Sequence, residues 1–160
     1  MIPDFVSDLR TAVGPDVLLW LPGVVAVVRD GQGRVLLQRR SAGGVWTPLS
    51  GILEPGEDPA VAAVREVGEE TGVQVVVERL AAVTNSPPVR HGNGDRAQYL
   101  EVVFACRSVD PDSVPRVCDD ESVEVGWFPL DALPPMSGRM REIIAVVEKG
   151  ESAAWFAPAP

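Results

Sequence analysis

Three glutamates, Glu66, Glu69 and Glu70, stand close together behind Arg65, and Glu57 lies eight positions before that arginine. The segment that carries them reads Gly51-Ile-Leu-Glu-Pro-Gly-Glu57-Asp-Pro-Ala-Val-Ala-Ala-Val-Arg65-Glu66-Val67-Gly-Glu69-Glu70-Thr-Gly72-Val73. On a helix, at about 100° per residue, the three carboxylates fall within an arc of roughly 100°. Val61, Val64, Val67 and Thr71 take the opposite side, so one face enters a core while the other presents dense negative charge. Like charges three and four residues apart cost an isolated helix a few tenths of a kcal/mol per pair. A hard divalent cation such as Mg²⁺, which takes oxygen ligands, offsets that repulsion. The plain alternative is a solvated acidic surface, because charged side chains are mostly exposed.

The elements that must position these groups are legible around them. Asp58 supplies an N-cap, Pro59 the first helical position and Gly72 a stop, which predicts a helix over 59–71. Ahead of it, residues 24–29 and 34–40 are β-branched or leucine-rich runs separated by Asp30-Gly-Gln-Gly33, the pattern of a hairpin. Residues 41–56 read as loop. Beyond the helix, residues 73–83 and 97–107 read as strands and 85–95, with two prolines and two glycines, as a loop that reaches over a site. Residues 108–120 form another loop and 122–129 a short strand, and Ser137 caps a closing helix with Met140, Ile143, Ile144 and Val147 on one stripe. Residues 4–13 form a short amphipathic helix, with Phe5, Leu9 and Val13 on one side, that covers one end of the sheet. The expectation is a single domain over 1–160, with 1–15 as the covering segment and 151–160 as a tail whose Trp155-Phe156 pair packs either on the body or on a neighbour.

Composition narrows the partners. The 160-residue chain is 46% apolar, enough for a sizeable core. Fourteen basic against 23 acidic residues leave a net charge of -9, which disfavours gripping a long nucleic acid through its phosphates. A small anionic substrate is compatible with that charge only through a metal ion. No apolar run is long enough to span a membrane, and the first residues lack a secretory pattern, so a cytoplasmic home is the expectation. Cys106 and Cys118 form no CxxC and His91 is the only histidine, which argues against a Cys/His zinc site.

The full pattern, Gly51-x5-Glu57-x7-Arg65-Glu66-Val67-x-Glu69-Glu70-x-Gly72-Val73, resembles the signature of the Nudix hydrolase superfamily without a departure. The resemblance implies a Nudix-type (MutT-like) α/β/α sandwich around a mixed β-sheet. It implies hydrolysis of a diphosphate bond in a nucleoside diphosphate joined to another group, with Mg²⁺ or Mn²⁺ as cofactor. Carried over by position, Glu66, Glu69 and Glu70 are implied metal ligands, with the Gly51 carbonyl as a further oxygen. Arg65 is implied as the partner of a box glutamate, Glu57 above all, holding the loop against the helix. The general base is either Glu66 or one of Glu121 and Glu124, from the acidic run before Trp127. Ahead of the box, Pro48-Leu-Ser-Gly51 replaces the Leu-Pro-Gly-Gly of many members, which alters the loop backbone.

Specificity in this superfamily comes from loops outside the box, and Arg39, Arg40, Trp46, Arg90, Arg96 and Tyr99 are the candidates here. Arg39 and Arg40 alternate faces on a strand, so at most one points at phosphate. Trp46 and Tyr99 either stack on a base or belong to the core. The substrate is expected to be ADP-ribose, a dinucleotide or an oxidised nucleoside triphosphate. A homodimer is left open, and the alternative function is a nucleotide sensor that binds without cleaving.

Overall fold

The computed structural model describes residues 3–41 and 43–158. Among these, the elements run α1 (Asp4–Val13), β1 (Leu19–Arg29), β2 (Val35–Arg40), β3 (Trp46–Thr47), β4 (Leu49–Ile52), α2 (Pro59–Thr71), β5 (Val75–Asn85), β6 (Val89–Arg90), β7 (Arg96–Ser108), β8 (Ser122–Phe128) and α3 (Gly138–Glu148). β1 is the spine of one mixed sheet. It pairs in parallel with β7 along its whole length, from Leu19 opposite Ala97 to Arg29 opposite Arg107. Its other edge is shared: β4 pairs antiparallel with Gly23 to Ala26, and β2 takes over at Arg29 opposite Val35. The main path is β3-β2-β1-β7-β5, with β8 on β2 and β6 on β7.

Because β1 is covered on both sides, it reads as a continuous apolar run whose alternate residues serve different cores. Val24, Ala26 and Val28 join Leu36, Leu49, Phe104 and Cys106 beneath Ala62, Ala63 and Val67 of α2. Val25 and Val27 join Val35, Leu37, Val103 and Ala105 beneath Ile143, Ile144 and Val147 of α3. Val6 and Phe5 of α1 close one end over Leu19, Leu21, Ile52 and Tyr99. The result is the α/β/α sandwich around a mixed sheet.

Several local expectations change. Leu9 and Val13 are exposed, so the inward face of α1 is Phe5 and Val6 rather than the expected stripe. β1 begins at Leu19, through Pro22 and Gly23, because pairing with β7 overrides the local break. The expected loop over 41–56 contains β3 and β4, whose strand character comes from pairing with β2 and β1. β5 starts two residues later than read and carries irregularities between Val77 and Arg79 and between Leu80 and Ala82. Asp58 occupies the N-cap of α2 but its side chain caps nothing; its carbonyl accepts from Val61 and Ala62 instead. In the tail, Trp155 donates its N–H to the Ala81 carbonyl at 2.8 Å and accepts from Val83 at 3.0 Å, which lays this segment on the outer edge of β5. No helix among the described residues is long and apolar enough to cross a membrane.

Ser137 does cap α3, its hydroxyl accepting from the Met140 N–H at 3.2 Å. Ser137→Ala should therefore cost about 1 kcal/mol and lower Tm by about 2–4 °C. Thermal unfolding followed by circular dichroism checks this, and an unchanged midpoint would remove the cap from the account.

Candidate active site

Gly51 is the floor of the site. It lies on β4 opposite Val24 and faces α2, like Leu49 two positions before it. A Cβ built there would sit 1.9 Å from Glu66 Cδ and 2.1 Å from its Oε1, so the glutamate fills the space any larger residue needs. Gly51 is not among the glycines with positive φ, and its requirement is space rather than backbone freedom.

Arg65 joins the loop to the helix. Its Nε and Nη2 donate to Glu57 Oε1 and Oε2 at 2.8 and 2.9 Å, a two-pronged pair. Its Nη1 donates to Glu66 Oε1 at 2.9 Å and Glu69 Oε2 at 3.2 Å. The Arg65 hydrogen bonds hold the Glu57 carboxyl below the ordinary glutamate range, against the opposing effect of burial. At Glu66 the balance reverses: burial pushes the carboxyl up, and Arg65 only partly pulls it back.

Glu70 departs from the expected picture. It is 2% exposed and belongs to the buried face of α2, beside Ala62, Ala63, Val67 and Thr71. Gln38 Nε2 donates to its Oε2 at 3.0 Å, and the Ser122 hydroxyl donates to Gln38 Oε1. Burial pushes the Glu70 carboxyl up to about 8 despite the Gln38 hydrogen bond, and the nearby charge of Glu66 adds to the rise. Conversely, Val61 and Val64 are exposed and line a shallow apolar depression with Ala60 and Val77. The helix is thus rotated from the expected orientation, because the small Ala62 and Ala63 let it approach the sheet more closely than valines would. Glu69 projects outward, and the three glutamates do not share one solvent face.

Among the described residues no group of three or more His, Cys, Asp or Glu side chains is gathered as a metal site. The donor chemistry nonetheless fits a hard cation. Glu66, Glu69, Glu70 and the Gly51 carbonyl offer oxygen alone, and Glu70 is buried and Glu66 half-buried at a cost that a positive ion reverses. In the structure the positive charge that Glu66 and Glu69 share is the Arg65 guanidinium.

The other candidates are dispersed. Arg40 Nη2 pairs with Glu121 at 2.9 Å, and its charge is felt by both Glu70 and Tyr99. Arg39 leaves on the α3 side and pairs with Glu124 at 3.0 Å, a bulge separating it from Arg40. Trp46 meets Phe128 edge-on at 4.7 Å and packs on the α3-side core. Arg90 and Arg96 instead approach the α1 to β1 connection, reaching the Asp16 carboxylate at 4.0 Å and its carbonyl at 3.2 Å respectively. Tyr99 is half-buried near Gly23, its hydroxyl 2.9 Å from His91 Nε2. Cys106 is buried and its thiol pushed up to about 12, which leaves it no thiolate for nucleophilic work. Gln38 and Ser122 escaped the sequence reading; the signal for Gln38 was a polar residue in phase with buried Leu36.

The family model described as NUDIX domain matches residues 19–147. A MutT-like protein of Streptomyces ambofaciens is 34% identical over 142 residues, 89% of this chain and 82% of that protein. The NAD-capped RNA hydrolase NudC of Pseudomonas aeruginosa is 35% identical over 117 residues, which is 72% of this chain but 38% of NudC. A solved ADP-ribose pyrophosphatase of Streptococcus suis has a TM-score of 0.61 at 26% identity, with 85% of this chain and 96% of that one covered.

Two outcomes follow from the geometry. Gly51→Ala should displace Glu66 and lower turnover by about 100-fold, while Tm moves by no more than about 4 °C because only a side-chain end must shift; wild-type turnover would contradict the cradle. Glu70, with a folded pKa near 8 against an ordinary 4.5, supports the fold fully below pH 4.5 and loses that contribution as pH rises through 8. In chelator, the stability of Glu70→Gln relative to wild type should therefore grow by about 2–4 kcal/mol between pH 5 and 8.5. Urea titrations at the two pH values measure it, and a constant difference would mean that Glu70 is solvated.

Proposed function

This chain belongs to the NUDIX family of hydrolases, and from that premise we propose that it cleaves a diphosphate bond in a nucleoside diphosphate derivative with a bound Mg²⁺ or Mn²⁺. The observation that carries the reading is the seat of Glu66 against Gly51, locked by the Arg65 to Glu57 pair. Nothing in a solvated acidic helix calls for a glycine beneath a glutamate or for a guanidinium spent on three carboxylates. The ADP-ribose pyrophosphatase and NAD-capped RNA hydrolase names of the relatives support a nucleotide-type substrate such as ADP-ribose, a dinucleotide or an oxidised nucleoside triphosphate.

In this reading Glu66, Glu69, Glu70 and the Gly51 carbonyl hold the cation. When bound, it neutralises phosphate charge and lowers the pKa of water. Arg65 and Glu57 keep the loop and helix at a fixed separation. Glu66 or Glu121 accepts the proton of the attacking water, and Arg40, beside Glu121, offers a cation to the substrate phosphates. Tyr99, its hydroxyl beside His91, is the aromatic candidate for the base, Trp46 lies in the α3-side core, and Arg39 and Arg96 act at the periphery. The chain works as one domain on a small molecule, and a homodimer is compatible with these roles.

The test is product detection across a panel of nucleoside diphosphate derivatives with Mg²⁺, with Mn²⁺ and with chelator. Turnover of one class that vanishes in chelator is expected, together with a loss of at least about 10³-fold in Glu70→Gln at saturating Mg²⁺. Binding across the panel without products would favour the sensor reading instead.

A further inference from the structure

We propose that Gln38 and Ser122 form a positioning relay that fixes the direction of the Glu70 carboxylate and couples it to the loop carrying Glu121. The proposal deepens the metal-hydrolase reading and rests on it. Gln38 is fully buried on β2, where an amide is costly unless both its ends are satisfied. Both are. The Ser122 hydroxyl donates to Oε1, which leaves the NH₂ end for Glu70 Oε2 at 3.0 Å. Against an ionised Glu70, the form that would hold a cation, reversing the amide would set its oxygen against a carboxylate oxygen.

Ser122 is itself fixed. It opens β8 opposite Arg40, at the irregularity that follows Arg39, and its N–H and that of Glu121 both donate to Asp119 Oδ1 at 3.2 Å. The same loop grips the last turn of α2 through its main chain: Arg116 N donates to the Thr71 carbonyl at 3.0 Å and Cys118 N to the Glu70 carbonyl at 3.1 Å. Glu70 is therefore held twice by residues 116–122, at its backbone directly and at its carboxylate through Gln38. An apolar pair would fill the same space at lower cost. What the amide adds is orientation of a carboxylate and a fixed relation between Glu70 and the loop that carries Glu121.

The experiment compares wild type with Gln38→Leu, Ser122→Ala and Ser122→Thr by Mn²⁺ titration calorimetry on substrate-free protein, steady-state kinetics and side-chain amide NMR. Gln38→Leu should weaken Mn²⁺ binding about tenfold or more and lower kcat, with KM for the nucleotide within about twofold of wild type. Ser122→Ala should lose about threefold to tenfold in Mn²⁺ affinity, and Ser122→Thr, which keeps the hydroxyl, should recover most of it. The Gln38 amide protons should resist exchange in wild type and Ser122→Thr but not in Ser122→Ala. Wild-type Mn²⁺ affinity and kcat in both Gln38→Leu and Ser122→Ala overturn the relay alone. An absence of Mn²⁺ binding and turnover in wild type overturns the relay together with the reading beneath it. Should Gln38→Leu not fold, the Ser122 pair decides: an unchanged amide signal and affinity in Ser122→Ala refute the relay.

Discussion

Arg65 spends its guanidinium on three carboxylates at once, with two hydrogen bonds to Glu57 and a shared donor to Glu66 and Glu69. Take it away and the acidic end of α2 loses its neutralising charge while the loop over 52–57 loses its attachment to the helix. The interaction is part-buried, so its value lies more in geometry than in stability. A two-pronged guanidinium to carboxylate pair has one favoured arrangement, and it leaves Glu66 resting on Gly51. A lysine could supply the charge without that arrangement.

The sheet makes this geometry rigid. β1 lies between β7 on one edge and β4 then β2 on the other, and both its faces are covered by helices. Gly51 sits on β4 one register step from that spine, and α2 is seated by Ala62, Ala63 and Val67. Floor and carboxylates thus belong to well-packed elements rather than to mobile loops. Precise placement at a site needs such support, because small displacements are expensive for catalysis.

Glu70 shows a different compromise. Sinking a carboxylate into the helix interface raises its pKa and costs stability in the absence of a cation. The Gln38 amide offsets part of that cost and gives the group a direction. Strained or underpaired polar groups are tolerated where function uses them. Glu70 is the buried acid of α2, and its neighbours are arranged around it from β2, β8 and the loop between β7 and β8.

Local chemistry alone determined a great deal here. The spacing of Gly51, Glu57, Arg65, Glu66, Glu69 and Glu70 pointed to the family and its reaction, and the proline and glycine at the two ends of α2 set its limits at Pro59 and Thr71. The cap at Ser137 and the stripe on α3 were equally legible, the first because it is a contact within three residues and the second because it is a helical repeat. Tertiary structure decided what depends on distant partners. β3 and β4 are strands because β2 and β1 pair with them, and β1 runs through Pro22 because β7 lies beside it. The rotation of α2, which buries Glu70 and exposes Val61 and Val64, follows from how closely Ala62 and Ala63 allow the helix to approach the sheet. Helical periodicity ranks faces by hydrophobicity, whereas packing ranks them by shape. Gln38 meets Glu70 from 32 positions away in the chain and Ser122 meets Gln38 from 84, and no spacing rule reaches that far.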